Sequence, residues 1–204
     1  MDKLWEYIES FLKYPHPVLK ELEKDHQGRD DVPPHIGIHV GTFLSWLIHV
    51  IQAQQVLEFG TAIGYSTIFL GQALRETGGR LTAIESAGER YREAHRNVER
   101  AGLSDIVELI LGDASQVIDD LEGPFDLILQ DSAKFLYPVM LEKCIQKIRR
   151  GGIIAADDAL FRPMGAREEL SRSMDEYNQK VFADSRLVST ILPIGDGLTI
   201  SMRK

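Results

Sequence analysis

A single cysteine, Cys144, is all the sequence carries, so it has no internal disulfide and no cysteine-rich metal site. It sits in an apolar helical pattern, where a buried and unreactive thiol is the simplest reading. No apolar run approaches the ~20 residues that span a bilayer. The first ten residues carry Asp2, Glu6 and Glu9 where a secretion signal would place basic and then apolar residues, so a cytoplasmic protein with no membrane contact is expected. Basic charge is in deficit: 23 Lys and Arg stand against 31 Asp and Glu, and the formal charge of −8 disfavours broad nucleic-acid binding. Internal repeats, low-complexity segments and linkers are also absent. The 204 residues, 44% hydrophobic, therefore read as one domain over 1–204 with a core large enough for small-molecule chemistry.

Residues 1–50 have helical spacing. Leu4, Ile8, Phe11 and Leu12 recur on one face, and Ile36, Val40, Phe43, Leu47 and Ile51 recur on another, with Gln27 to Pro34 breaking the two apart. This segment is expected to cap an α/β core over 51–204. Only one of its two apolar faces is needed to cover the core, so the other, bearing Leu4, Ile8 and Phe11, is expected to join a symmetric homodimer.

From residue 56 the period changes. Short apolar runs at Val56 to Phe59, Leu81 to Ile84, Ile106 to Leu111, Phe125 to Leu129 and Ile153 to Ala156 read as strands buried on both faces, each followed by a longer amphipathic segment. That alternation predicts a parallel sheet. A helix from about Pro163 to Phe182 leads to two more strands, Leu187 to Leu192 and Leu198 to Met202. The five residues joining them are too few for a crossover helix, so the sheet of seven strands should end in an antiparallel hairpin.

Ligands of open parallel sheets sit beyond the carboxyl ends of the strands. Those positions hold Glu58 and Gly60, then Glu85, Asp113, Asp131, and the pair Asp157 and Asp158. Asp113 alone is explained as a helix N-cap. Five acidic endings on one edge repel one another unless cations or hydroxyl-bearing ligands occupy it, which points to a metal and a ribose. The turn from Glu58 to Ser66, with Gly60 and Gly64, leaves room for a ligand close to the backbone, and Glu85 follows at the separation that suits a carboxylate accepting ribose hydroxyls. The dinucleotide fingerprint is missing, because Ala62 stands where its second glycine would be. A nucleoside with a short charged tail fits better than a dinucleotide.

In these segments the sequence resembles the metal-dependent O-methyltransferases of the catechol and caffeoyl-CoA type. The match runs from about Ile36 to Lys204 through Val56 to Ser66, Thr82 to Glu85, Gly112 to Ala114, Phe125 to Lys134, Gly151 to Asp158 and Leu192 to Leu198, in that order. The resemblance implies a Rossmann-like methyltransferase fold with S-adenosylmethionine as cofactor. It implies that Glu58, Gly60, Thr61, Gly64, Tyr65 and Ser66 border the methionine portion, Glu85 and Ser86 the ribose, Asp113 and Ala114 the adenine, and that Asp131 also borders the cofactor. It further implies Asp131, Asp157 and Asp158 as metal ligands, and Lys134 as the catalytic lysine beside Asp131. Three carboxylates make a hard oxygen site, suited first to Mg²⁺, then to Mn²⁺, with Ca²⁺ also accommodated. A bound cation can hold two adjacent hydroxyls of a substrate, and an amine beside it should have a lowered pKa. Two departures stand out: the family usually has Asn where this chain has Asp158, and an acid or larger polar residue near Ser132 and Ala133.

The expected activity is methyl transfer to a hydroxyl of a catechol-like or hydroxycinnamoyl-like small molecule. The alternatives are methylation of a hydroxylated wobble uridine in tRNA, against which the acidic balance counts, and cofactor binding without catalysis, which Asp158 favours. Other residues read more plainly. His35 and His39 are cap histidines, and Arg90, Arg92, Arg96 and Arg100, interleaved with glutamates, form a solvated helix face. Phe161 follows the proposed metal segment and borders the acceptor in this reading.

Overall fold

The computed structural model describes residues 2–204. Three helices come first, α1 (Asp2–Glu9), α2 (Pro17–His26) and α3 (Gly37–Ile51). Strands and helices then alternate through β1 (Gln55–Phe59), α4 (Tyr65–Thr77), β2 (Arg80–Glu85), α5 (Gly88–Arg100), β3 (Val107–Leu111), α6 (Ala114–Asp120), β4 (Phe125–Gln130), α7 (Tyr137–Lys147), β5 (Ile148–Ala156) and α8 (Glu168–Ala183), ending with β6 (Leu187–Leu192) and β7 (Leu198–Arg203). A single 3-10 turn, Lys134–Leu136, precedes α7.

The seven strands form one sheet in the order β3-β2-β1-β4-β5-β7-β6, parallel from β3 to β5 and antiparallel across β7 and β6. Adjacent residues of each central strand face opposite cores. Val56, Leu81, Leu127 and Ile153 pack under α3 and α4, whereas Leu57, Ile84, Ile128 and Ile154 pack against α7 and α8. Both faces being covered, these strands read as continuous apolar runs. The strand order reverses between β1 and β4, which opens a crevice at their carboxyl ends.

Several boundaries differ from the sequence reading. The first helix stops at Glu9, leaving Phe11 and Leu12 beyond it, and a separate helix α2 follows. Pro17 starts α2, with the His16 ring accepting the Val18 N–H at 3.3 Å. The helix expected from Pro163 begins only at Glu168, because Pro163 and Gly165, the latter at φ +75°, keep the preceding stretch in turns. The fifth strand extends back to Ile148, its register against β4 shifting between Phe125 and Leu127. Of the two apolar sets in the cap, Ile36, Val40 and Leu47 are buried with Phe43 and Ile51 half-buried, while Leu4 and Phe11 are exposed and Ile8 is half-buried. Among the described residues no helix is long and apolar enough to cross a membrane.

Candidate functional site

The carboxyl ends of β1, β2, β3 and β4, with the loop after β5, open on one cleft of about 910 Å³. Of the residues singled out from sequence, Gly60, Thr61, Tyr65, Ser66, Glu85, Ser86, Asp113, Ala114, Asp131, Lys134 and Asp158 line it. Glu58, Gly64 and Asp157 stand behind that lining.

Gly60 must be glycine, since at φ +92° a Cβ there would lie 2.0 Å from the Asp131 carbonyl oxygen. The close approach lets β1 and β4 deliver their loops to the same point. Gly64, also at positive φ, caps α4 without a side-chain hydrogen bond to its first amides, and Tyr65 and Ser66 at that helix start line the cleft. Ala62 takes a left-handed conformation at φ +47°, and its N–H donates to Glu85 Oε2 at 2.9 Å. The other Glu85 oxygen accepts the Ala87 N–H at 2.8 Å and Arg90 Nη2 at 2.9 Å. Arg90 is therefore a partner of Glu85, not a member of a solvated stripe. Asp113 caps α6, its Oδ1 accepting the N–H and hydroxyl of Ser115 at 2.8 and 2.7 Å, and these bonds hold it below the usual carboxylate range.

Glu58 is fully buried behind the glycine turn, with Thr67 Oγ1 donating to one oxygen at 2.6 Å and the other oxygen unpartnered. Burial pushes it up to about 7, against the hydrogen bond from Thr67 and the nearby Ser66 hydroxyl. It supports the turn from behind and does not reach the cleft.

At the other end, Asp131, Lys134, Asp157 and Asp158 meet. Lys134 Nζ donates to Asp131 Oδ1 at 3.2 Å and to the Tyr137 hydroxyl at 2.8 Å, and it also pairs with Asp158. The ammonium lies 4.8 Å from the Tyr137 ring centre and 6.0 Å from that of Phe161. Burial pulls Lys134 down, but Tyr137, Asp131 and Asp158 outweigh it and hold the ammonium well above the usual lysine value. In this arrangement Lys134 is a fixed cation, in place of the lowered amine expected from sequence. Asp157 is buried with Oδ1 unpartnered, and burial reinforced by Asp131 and Asp158 raises its carboxyl far above the ordinary range. Asp158 sits at φ +66°, a left-handed conformation that short polar side chains tolerate best. Its loop is tied to the hairpin turn by Ala159 N–H to the Gly197 carbonyl at 2.8 Å and Leu160 N–H to that of Asp196 at 2.9 Å. Among the described residues no three His, Cys, Asp or Glu side chains converge into a metal cage.

Sequence reasoning missed part of the lining: Arg29 and His35 from the cap, Asp196 from the hairpin turn, and Arg167 and Leu170 from the start of α8. The rigid Val32-Pro33-Pro34 segment and the Gly195-Asp196-Gly197 turn were the available signals. His39 fulfils its plain reading, pairing with Glu9 at 2.8 Å and packing edge-on against Trp5, but His35 does not, since it faces the cleft.

The O-methyltransferase family profile matches residues 9–204. Caffeoyl-CoA O-methyltransferase 1 of Nicotiana tabacum is 30% identical over 224 residues, covering 99% of this chain and 92% of the relative. Tapetum-specific methyltransferase 1 of Arabidopsis thaliana is 30% identical over 219 residues, covering 99% and 94%. Among solved structures, the O-methyltransferase from Bacillus cereus in complex with SAH superposes with a TM-score of 0.85 at 26% identity, with 100% of both chains covered. With strand order, glycine turn and strand-end acids all in place, the chain belongs to the O-methyltransferase family.

Proposed function

We propose that the protein transfers the methyl group of S-adenosylmethionine to a hydroxyl of a catechol-like or hydroxycinnamoyl-like molecule, as the caffeoyl-CoA type does. The observation that carries this reading is the Lys134 ammonium held between Asp131 and Asp158 on the wall of a cleft whose other end is the glycine turn and Glu85. Glu85, oriented by two backbone N–H groups, is placed to accept ribose hydroxyls, and the open amides at the start of α4 suit the methionine carboxylate. Lys134 stabilises negative charge developing on the acceptor oxygen, and Tyr137 keeps it in place.

A divalent cation fits the donor chemistry. Asp131, Asp157 and Asp158 are hard oxygen donors, and the buried Asp157 Oδ1 lacks a hydrogen-bond partner that a cation would replace. Held by Asp131, Asp157 and Asp158, such an ion would supply Lewis acidity toward an acceptor hydroxyl. In the structure Asp131 and Asp158 are paired with the Lys134 ammonium, which an ion held there would have to share or displace. We also propose that the protein pairs with a second copy through the face of Leu4, Ile8 and Phe11, of which Leu4 and Phe11 are exposed and Ile8 half-buried; light scattering that gives a monomer at micromolar concentration excludes this.

The function is tested by a methyl-transfer screen over catechols, hydroxycinnamoyl thioesters and total tRNA, with Mg²⁺ or with chelator. Transfer to a catechol or thioester that chelation abolishes supports the reading. Transfer to tRNA alone, or tight cofactor binding with no transfer, overturns it.

A further inference from the structure

The segment that joins α2 to α3 forms no helix or strand, yet every residue from Arg29 to Ile36 lines the cleft. It is bounded by Gly28 at φ +88° and Gly37 at φ +71°, and at neither would a Cβ meet another atom within 4 Å. These glycines serve turns, not close packing, and leave the backbone able to pivot at both ends.

Three contacts hold the segment down, and two of them fix which end of the cleft it covers. The His35 ring stacks on Tyr65, with centroids 4.1 Å apart and 17° between planes. Tyr65 is the first residue of α4, directly after the glycine turn. At the other end Arg29 grips Glu93 of α5 with two bonds, Nη1 donating to Oε1 at 2.6 Å and Nη2 to Oε2 at 3.0 Å. Glu93 lies one helical turn beyond Arg90, the partner of Glu85. Between these pins Val32 is tucked into the core. The segment thus crosses from the glycine turn to α5 at the Glu85 end of the cleft.

Among the described residues, Arg29–Glu93 is the one ion pair between this segment and the rest of the protein. With 28% and 24% of their side chains exposed, the partners are shielded enough for a bidentate pair to form and exposed enough to part without stranding a buried charge. Asp31, which accepts from Arg29 at 3.0 and 2.6 Å, lies on the segment itself and would travel with it, so the guanidinium keeps a partner when Glu93 lets go. Lifting the segment unwinds no helix and separates no strand.

We propose that Arg29 is a positioning residue of the cofactor site, whose pair with Glu93 latches residues 29–36 as a strap over the cofactor and must part for S-adenosylmethionine to enter and S-adenosylhomocysteine to leave. This rests on the cofactor assignment at the Glu85 end and adds to it the route of exchange.

The test is stopped-flow exchange of S-adenosylhomocysteine in the parent, Arg29→Leu, Glu93→Leu and the double variant. Each single variant should speed both association and dissociation, the latter about five-fold, because a cleft open for more of the time admits and releases its ligand more often. The double variant should match the singles, since the pair acts as one unit. Arg29→Lys, which keeps the charge without the fork, should fall between parent and Arg29→Leu. Unchanged rates, or faster dissociation with slower association as a mere loss of packing would give, overturn the proposal. A covalent latch decides the same point: Arg29→Cys with Glu93→Cys, joined by a short bismaleimide, leaves the buried Cys144 untouched. Joined after loading, the protein should retain S-adenosylhomocysteine through gel filtration, and joined before loading it should take up none. Free exchange in the joined protein overturns the latch. A parent that binds no S-adenosylhomocysteine takes the cofactor assignment down as well, whereas binding with unaltered exchange takes down the latch alone.

Discussion

Glu85 and Asp157 are buried to almost the same degree, with 4% and 5% of their surfaces exposed, and they stand at the carboxyl ends of β2 and β5, on one sheet edge with β1 and β4 between them. Glu85 has both oxygens occupied, by two backbone N–H groups and Arg90. Asp157 has one oxygen with no partner and two other carboxylates nearby that raise its pKa. One acid is stabilised by its own loop and is ready to meet uncharged hydroxyls without rearrangement. The other is tolerated at a cost, in a cluster whose single cation, Lys134, is shared between Asp131 and Asp158. The Glu85 end of the cleft is a finished scaffold, and the Lys134 end holds charge in competition, the kind of place where perturbed groups gather for function.

The contrast is broken most forcefully by Lys134→Met. Turnover should fall about 10²–10⁴-fold while cofactor affinity is retained, measured by single-turnover kinetics and calorimetry. Undiminished turnover would leave the acceptor end with no chemical role. Next is Glu58→Gln. Burial lifts Glu58 from 4.5 to about 7, so between those values the folded protein holds a proton that the unfolded chain has released. The contribution of Glu58 to stability is full below about pH 4.5 and is lost as pH rises toward 7, by on the order of 3 kcal/mol. Denaturant melts of Glu58→Gln across that window should lose this slope; a slope equal to the parent's would show that Glu58 does not titrate there. At the cofactor end, Glu85→Ala should weaken S-adenosylmethionine binding by about 1–3 kcal/mol in calorimetry. Unchanged affinity would remove the ribose role. The mildest change is Asp158→Asn, which relieves like charge and suits the left-handed backbone. The Mg²⁺ needed for half-maximal rate should rise roughly a few-fold, with turnover at saturating metal kept or raised. An identical metal titration would argue that Asp158 is not a ligand.

The sheet was legible because Val56, Leu57, Ile84 and Ile128 are buried on both faces and so form unbroken apolar runs. The acids were legible because an open parallel sheet gathers its strand ends on one edge, whatever their distance along the chain. What the sequence hid was pairing. Arg90 looked solvated among glutamates, yet its turn of helix brings it back to Glu85. Lys134 looked poised for a lowered pKa, but burial alone would lower it and two carboxylates reverse the sign. His35 and His39, four residues apart, had one reading in sequence and face different surroundings in the fold. Cap and loop contacts of this kind carry no period, so only three-dimensional placement separates them.

The zipper between Ala159, Leu160 and the hairpin turn bears on how the protein is made. In the sheet β7 lies inside β6, next to β5, although it follows β6 in the chain. As a nascent chain leaves the ribosome, the glycine turn and Glu85 are available early, whereas the loop bearing Asp158 must wait for α8, β6 and the turn at Gly195-Asp196-Gly197. A partly synthesised or C-terminally clipped chain would thus expose the edge of β5 and leave its acid loop without the backbone partners the hairpin turn supplies.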